Sequence, residues 1–369
     1  MDNIRLDFQK HIDAGRCNGA EWIINYENKV YHDVIGYKDL DLKDKLNKNS
    51  YYRVWSMTKP IVCFAAMQLA EKKFLSLDDT IDRYLPEFKN IKKLNSLTSK
   101  LSDTSPVDNL PTIRQLLQHT AGFTYNSSDN NLAQEYEDKG LFHSPTSSLE
   151  EEVNKILELP LLYEPGSNWH YSISIDILAR IIEIVTKDKI TNILKENIFD
   201  PLEMNQTNFF INESNQKNLV ETFEYSFDRS KLTNLNFDKR KLILYGYPTT
   251  NQNYSRGGHG LFSTAEDYAK FATMLINGKN KNSKPLVNTD TLEIMRNNSL
   301  TADLFPLEIT SINTKKDVDY ENDLIGYGWG MGMRVLMKNT NQNKYGTIGE
   351  FGWSGYASTY FLVDPINNL

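Results

Sequence analysis

The order of elements constrains this chain more than any single motif: strand-like runs stand at both ends, with helical stripes between them. "AEWIINYENKVYHDVIGYKDL" (20–40) holds two β-rich runs around Glu27-Asn28 and predicts a hairpin. "YGWGMGMRVL" (327–336) and "FGWSGYASTYFLVDP" (351–365) are rich in aromatic and β-branched residues bounded by Gly and Pro, and read as strands. Between them, Val62, Ala65, Ala66 and Leu69 fall on one helical face. So do Leu178, Ile181, Ile182 and Val185, and Tyr268, Phe271, Ala272 and Leu275. A sheet built from both ends with a helical lobe inserted satisfies this order, which makes the chain α+β. At 369 residues there is enough chain for two packed lobes of one catalytic domain: about 1–60 with 245–369, and about 61–244.

Local signals place the boundaries. The N-terminal "MDNIRLDFQKHIDAGR" reads as an amphipathic helix, with Ile4, Phe8 and Ile12 on one side. The helix beginning at Ser56 takes Pro60 near its start, where a missing N–H does least damage, and Lys72-Lys73 at its end. Thr112 with Gln115 predicts a capping box for a helix stopping at Gly122. Ser263 with Glu266 predicts another, for a helix stopping at Gly278. Residues 90–110 and 126–131 are polar, turn-rich excursions.

Composition excludes several classes of function. The net charge is -7 with both signs interleaved, so no basic footprint for nucleic acid or an anionic membrane is present. No apolar run approaches 18 residues, and the N-terminus lacks the pattern of a secretory signal. Cys17 and Cys63 stand far apart and form no metal pattern; Cys63, on an apolar helix face, reads as a buried thiol in a reducing compartment. A cytoplasmic location is expected. The six histidines lack ligand spacing, so neither a metal nor a cofactor is expected. His119 reads as a capping or backbone-bonding residue and His170 as a structural or rim histidine. Gly257-Gly258 lack the context of a phosphate loop and suggest a tight approach beside an active-site rim.

"RVWSMTKPIV" (53–62) sets Ser56 and Lys59 three residues apart at a helix start. A serine hydroxyl is a weak nucleophile without a base beside it, and a lysine one turn on can serve. The same spacing also fits a capping serine followed by a solvated lysine. The residues alone leave both readings open.

"YRVWSMTKPIVCFAAMQLAEKKFLSLDDTIDRYLPEF" resembles the nucleophile region of the serine β-lactamase and penicillin-binding-protein superfamily. The nearest likeness is to the class C β-lactamase-like branch that includes the family VIII carboxylesterases. It continues through "TIRQLLQHTAGFTY", "EPGSNWHYSISIDILARIIEIVT", "GGHGLFSTAEDYAKFATMLING" and "WSGYASTYFLVDP", in the family's order. The resemblance implies the β-lactamase-like fold, an antiparallel sheet flanked by helices with an inserted, mostly helical lobe. It implies Ser56 as the acylated nucleophile, Lys59 as its partner, and Tyr171 as the tyrosine that exchanges protons with serine and leaving group. Trp353-Ser354-Gly355 matches the third box, and the backbone N–H groups of Ser56 and Tyr356 would form the oxyanion hole.

Two departures bear on substrate. Trp353 stands where lactamases place a lysine, and Ile173 where they place an asparagine that holds the acyl amide. Both make the site more apolar and favour a small to medium acyl ester, with no nucleic-acid or membrane partner, over a β-lactam or a D-Ala peptide. A β-lactamase or D-Ala carboxypeptidase activity, or an inert homologue acting as a binding protein, are the competing expectations. In the family, the turn at "VDPINNL" leads to one more strand beside the N-terminal hairpin and then a helix. By that resemblance the chain is expected to be a fragment, or to close its sheet with a partner.

Overall fold

The computed structural model describes residues 2–27, 29–41, 43–142, 144–226, 231–234, 247–309 and 323–369. Helix α1 (Asp2–Asp13) lays Ile4, Phe8 and Ile12 half-buried on the next element, with Phe8 stacked 5.2 Å from Trp22. Strands β1 (Gly19–Tyr26) and β2 (Lys29–Gly36) pair antiparallel from Gly19↔Gly36 to Tyr26↔Lys29. The register leaves a two-residue turn, entered by Glu27 at φ 51°, the left-handed backbone such turns demand. Asn28, the other expected turn residue, lies outside the described residues.

After β3 (Tyr52–Arg53) comes α2 (Thr58–Glu71), which departs from the expected single stripe. Every residue from Thr58 to Leu69 is buried. A helix buried on all sides belongs in a protein's middle, and the helices Ser174–Thr186, Ile190–Leu194 and Thr289–Arg296 pack on this one. The excursion at 90–110 contains a short antiparallel pair, β4 (Lys92–Leu94) and β5 (Thr104–Pro106).

Helix α3 (Ile113–Gln118) opens on the expected Thr112–Gln115 box but ends before Gly122. His119 caps it in the left-handed conformation, φ 58°, because its ring and carbonyl are both engaged in the core beyond. Helices α4 (Asn131–Asp138) and α5 (Leu149–Ile156) follow; α5 starts at a Ser148–Glu151 box that the periodicity reading passed over. Next come α6 (Ser174–Thr186) and α7 (Ile190–Leu194), with α6 packed against both α2 and α3. Strands β6 (Phe223–Ser226) and β7 (Lys231–Asn234) form an antiparallel pair.

Strand β8 (Phe262–Ser263) pairs with β3, so Ser263 is a strand residue. Thr264 caps α8 (Ala265–Asn277) instead, accepting from the Asp267 N–H. The expected box with Glu266 is displaced by one residue because Ser263 is committed to the sheet. Gly278 ends α8 at φ 74°, as expected, and α9 (Thr289–Arg296) follows.

The C-terminal aromatic runs form β9 (Tyr327–Trp329), β10 (Arg334–Leu336), β11 (Phe351–Ser354) and β12 (Tyr360–Val363). They make one antiparallel sheet in the order β12-β11-β10-β9. Beyond it, Asp364 and Leu369 exchange backbone hydrogen bonds across the expected turn. Helix α8 packs on both β1 and β12, so one helix backs the hairpin and the sheet together. The architecture is α+β. The second expected lobe boundary, at 244–245, lies outside the described residues. Among the described residues no helix is long and apolar enough to cross a membrane.

Candidate active site

Between β3 and α2 the chain makes one 3-10 turn, Trp55–Met57, that carries Ser56. Trp55 has φ 46°, a conformation costing a residue with a Cβ about 1–2 kcal/mol. Packing holds it there: its ring lies 5.0 Å from Tyr247 and 5.6 Å from Tyr356. The turn is pinned on both sides, the Val54 N–H donating to Leu261 O and Tyr268 Oη donating to Met57 O at 2.8 Å. Ser56 is left half-buried between the buried Trp55 and Met57.

One helical turn on, Lys59 is 1% exposed. Its Nζ donates to Ser56 Oγ at 3.1 Å and to the Gly258 carbonyl at 2.7 Å. The ammonium lies 4.7 Å from the Tyr171 ring centre and 5.3 Å from that of Tyr125, within cation–π range of both. The reading of Lys59 as a solvated helix residue is therefore excluded by its burial.

Tyr171 stands just ahead of α6, and α3 fixes its place. The His170 N–H donates to the His119 carbonyl, and the Ser172 N–H to His119 Nδ1. Burial pushes the His119 pKa well below its ordinary value, so a neutral imidazole accepts at Nδ1 and packs 4.7 Å from the Tyr171 ring. His170 contacts the Thr124 and Ser128 hydroxyls through Nε2, and burial brings its pKa down to about 4. It is a structural histidine, as expected.

Trp353, on β11, donates its indole N–H to Tyr171 Oη at 3.1 Å. It also belongs to a cluster of indoles, 4.6 Å from Trp329, which in turn lies 5.3 Å from Trp169. Ser354 ends the strand opposite Tyr360. A Cβ on Gly355 would lie 2.5 Å from the Val54 carbonyl, so glycine permits the strand's close approach to the Ser56 turn. Tyr356 follows, 59% exposed. Ser56, Lys59, Tyr171, Trp353 and the 354–356 segment thus converge.

Ile173 does not join them. It is fully buried, its N–H donating to the Thr124 carbonyl where α6 begins. Its side chain therefore presents no surface to a substrate, which corrects its expected place among the substrate contacts. The Gly257-Gly258 strap does border the site, as its glycines suggested. The motif reading missed Asp176, whose Oδ1 accepts from the N–H groups of both Gly257 and Gly258. No cluster of His, Cys, Asp and Glu able to hold a metal occurs among the described residues.

The Beta-lactamase family model matches residues 4–369. Protein Rv1367c of Mycobacterium tuberculosis (strain ATCC 25618 / H37Rv) is 26% identical over 375 residues, covering 100% of this chain and 88% of its own. Lovastatin esterase of Penicillium rubens is 25% identical over 386 residues, covering 98% of this chain and 89% of its own. The solved structure of EstCE1, described as a hydrolase with promiscuous acyltransferase activity, superposes with a TM-score of 0.79 at 24% identity. It covers 100% of this chain and 91% of its own.

Proposed function

The chain belongs to the beta-lactamase family, and on that premise we propose that it is a serine hydrolase cleaving small to medium acyl esters through an acyl-enzyme on Ser56. The observation that carries this reading is the contact of Lys59 Nζ with Ser56 Oγ inside an aromatic enclosure shared with Tyr171. Ser56 Oγ attacks the ester carbonyl while its proton passes into the Lys59–Tyr171 pair. The N–H groups of Ser56 and Tyr356 receive the developing oxyanion; one such donor contributes roughly 3–4 kcal/mol. The proton goes to the departing alcohol, and water then releases the acid by the same route reversed.

Preference for an ester rests on the third box. Trp353 offers an indole N–H already given to Tyr171, where an ammonium would be needed to pair a substrate carboxylate. An uncharged acyl group fits such a wall, and relatives named as esterases are consistent with it.

The test is a p-nitrophenyl ester series from acetate to octanoate, run beside a chromogenic cephalosporin and a fluorophosphonate probe. Wild type should hydrolyse the short esters, take the probe on Ser56 and leave the cephalosporin largely intact. Ser56→Ala should lose turnover and labelling with an unchanged melting temperature. Retained turnover in that variant would overturn the assignment of the nucleophile. Faster cephalosporin than ester cleavage would overturn the substrate class.

A further inference from the structure

Lys59 is a buried ammonium whose direct partners are a hydroxyl, a carbonyl and two aromatic faces. What positions that carbonyl lies one layer further out. Asp176 is fully buried on α6. Its Oδ1 takes the Gly257 N–H at 2.9 Å and the Gly258 N–H at 3.0 Å. Its Oδ2, equally buried, has no hydrogen-bond partner. A lone buried carboxylate oxygen costs more than an ordinary unsatisfied group, so its retention calls for an explanation.

The glycines explain the closeness of the arrangement. A Cβ on Gly257 would lie 1.9 Å from the Ile175 carbonyl, and one on Gly258 would lie 2.5 Å from Asp176 Oδ2. The strap is thus seated on the first turn of α6, with its amides on the carboxylate and the Gly258 carbonyl turned to Lys59. We propose that Asp176 is a positioning residue for the acylation step: it clamps the strap that holds Lys59 Nζ against Ser56, and supplies the negative charge that balances the buried ammonium.

The other groups around the pair do not replace that charge. Tyr125 and Tyr171 face Lys59 with their rings. Burial keeps the His119 and His259 imidazoles neutral and the Cys63 thiol protonated. Arg256, close to Asp176, adds positive charge. This inference rests on Lys59 being the proton partner of Ser56.

Asp176→Asn keeps an oxygen for the two amides and removes the charge. In protein carrying isotope-labelled lysine, the Lys59 signal, assigned through Lys59→Arg, should titrate at least about one pH unit lower in Asp176→Asn than in wild type. The pH profile of Ser56 phosphonylation should move its acid limb by the same amount, and kcat on p-nitrophenyl butyrate should fall roughly tenfold or more with KM nearly unchanged. An unmoved Lys59 midpoint in a variant that melts like wild type would overturn the proposal. So would a variant that loses only stability, with kcat per labelled site and the acid limb unchanged. The lysine titration needs no substrate, so it decides the role of Asp176 even if wild type hydrolyses no ester, an outcome that would count against the proposed function alone.

Discussion

The indole N–H of Trp353 reaches Tyr171 Oη at 3.1 Å, so the residue that departs from the family's usual cation still touches the group proposed for proton transfer. A hydrogen bond to a charged group contributes about 1.5–3 kcal/mol. If Tyr171 passes through a phenolate, Trp353→Phe should lower kcat by roughly 10- to 100-fold, with little change in KM. Steady-state kinetics on p-nitrophenyl butyrate checks this, and an unchanged kcat would reduce Trp353 to packing. Ile173 behaves differently. Ile173→Asn would bury an amide in an apolar setting at a cost of about 1–3 kcal/mol, visible as a lower urea midpoint without a new substrate preference. Ser56 and Lys59 were legible in the sequence because helix geometry permits the pairing of positions three apart and the surrounding motifs resemble the family's nucleophile region. Asp176 was not, because its partners lie 81 and 82 residues away and are backbone amides that leave no side-chain signature.

Among the elements, α2 and α3 set two kinds of stability side by side. The cap of α3 is a local device: Thr112→Ala removes the hydroxyl that accepts the Gln115 N–H and should cost about 1 kcal/mol by urea unfolding. Inside α2 there is no room to spare. Ala66, fully buried, has packed neighbours on every side, and Ala66→Leu should cost about 1–3 kcal/mol through overpacking. Equal effects from the two changes would contradict the central place of α2. The apolar periodicity marks one face of α2 and leaves the opposite face unread, since such a stripe looks the same whether or not the other side is also covered. It misplaced two ends for a related reason. His119, expected as a capping residue, closes α3 short of Gly122 as the chain enters the Tyr171 segment, and Thr264 replaces Ser263 as the cap of α8 because the chain is leaving β8, information that a window of a few residues does not contain.

At the scale of the whole molecule, one buried and two part-buried histidines tie stability to pH. His119, His170 and His259 all have pKa values depressed by burial, to about 4 for His170. Each is neutral in the fold but charges near 6.5 once unfolded, so its contribution is complete above that pH and is lost as the pH falls toward the folded value. Three such groups give a slope of up to about 4 kcal/mol per pH unit below 6. Asp176 and Glu21, whose pKa values burial raises, act in the opposite sense at the lower end of the window. Unfolding by urea should therefore become easier from pH 7 to pH 5, and His170→Gln should reduce the slope by about one third. A flat profile would mean that these rings are hydrated in solution.

The indole cluster makes the same molecule an optical instrument. Of its five tryptophans, Trp55 precedes Ser56, the proposed nucleophile, and Trp353 touches Tyr171, with Trp329 edge-on to Trp353 and Trp169 tilted against Trp329. Trp22 lies under Phe8 on the N-terminal hairpin. Rings this close exchange excitation energy, so the emission reports the group as a unit and should change in colour and yield when Ser56 becomes acylated. Stopped-flow fluorescence could then follow the covalent step on a colourless ester, against a background from Trp22 that stays constant.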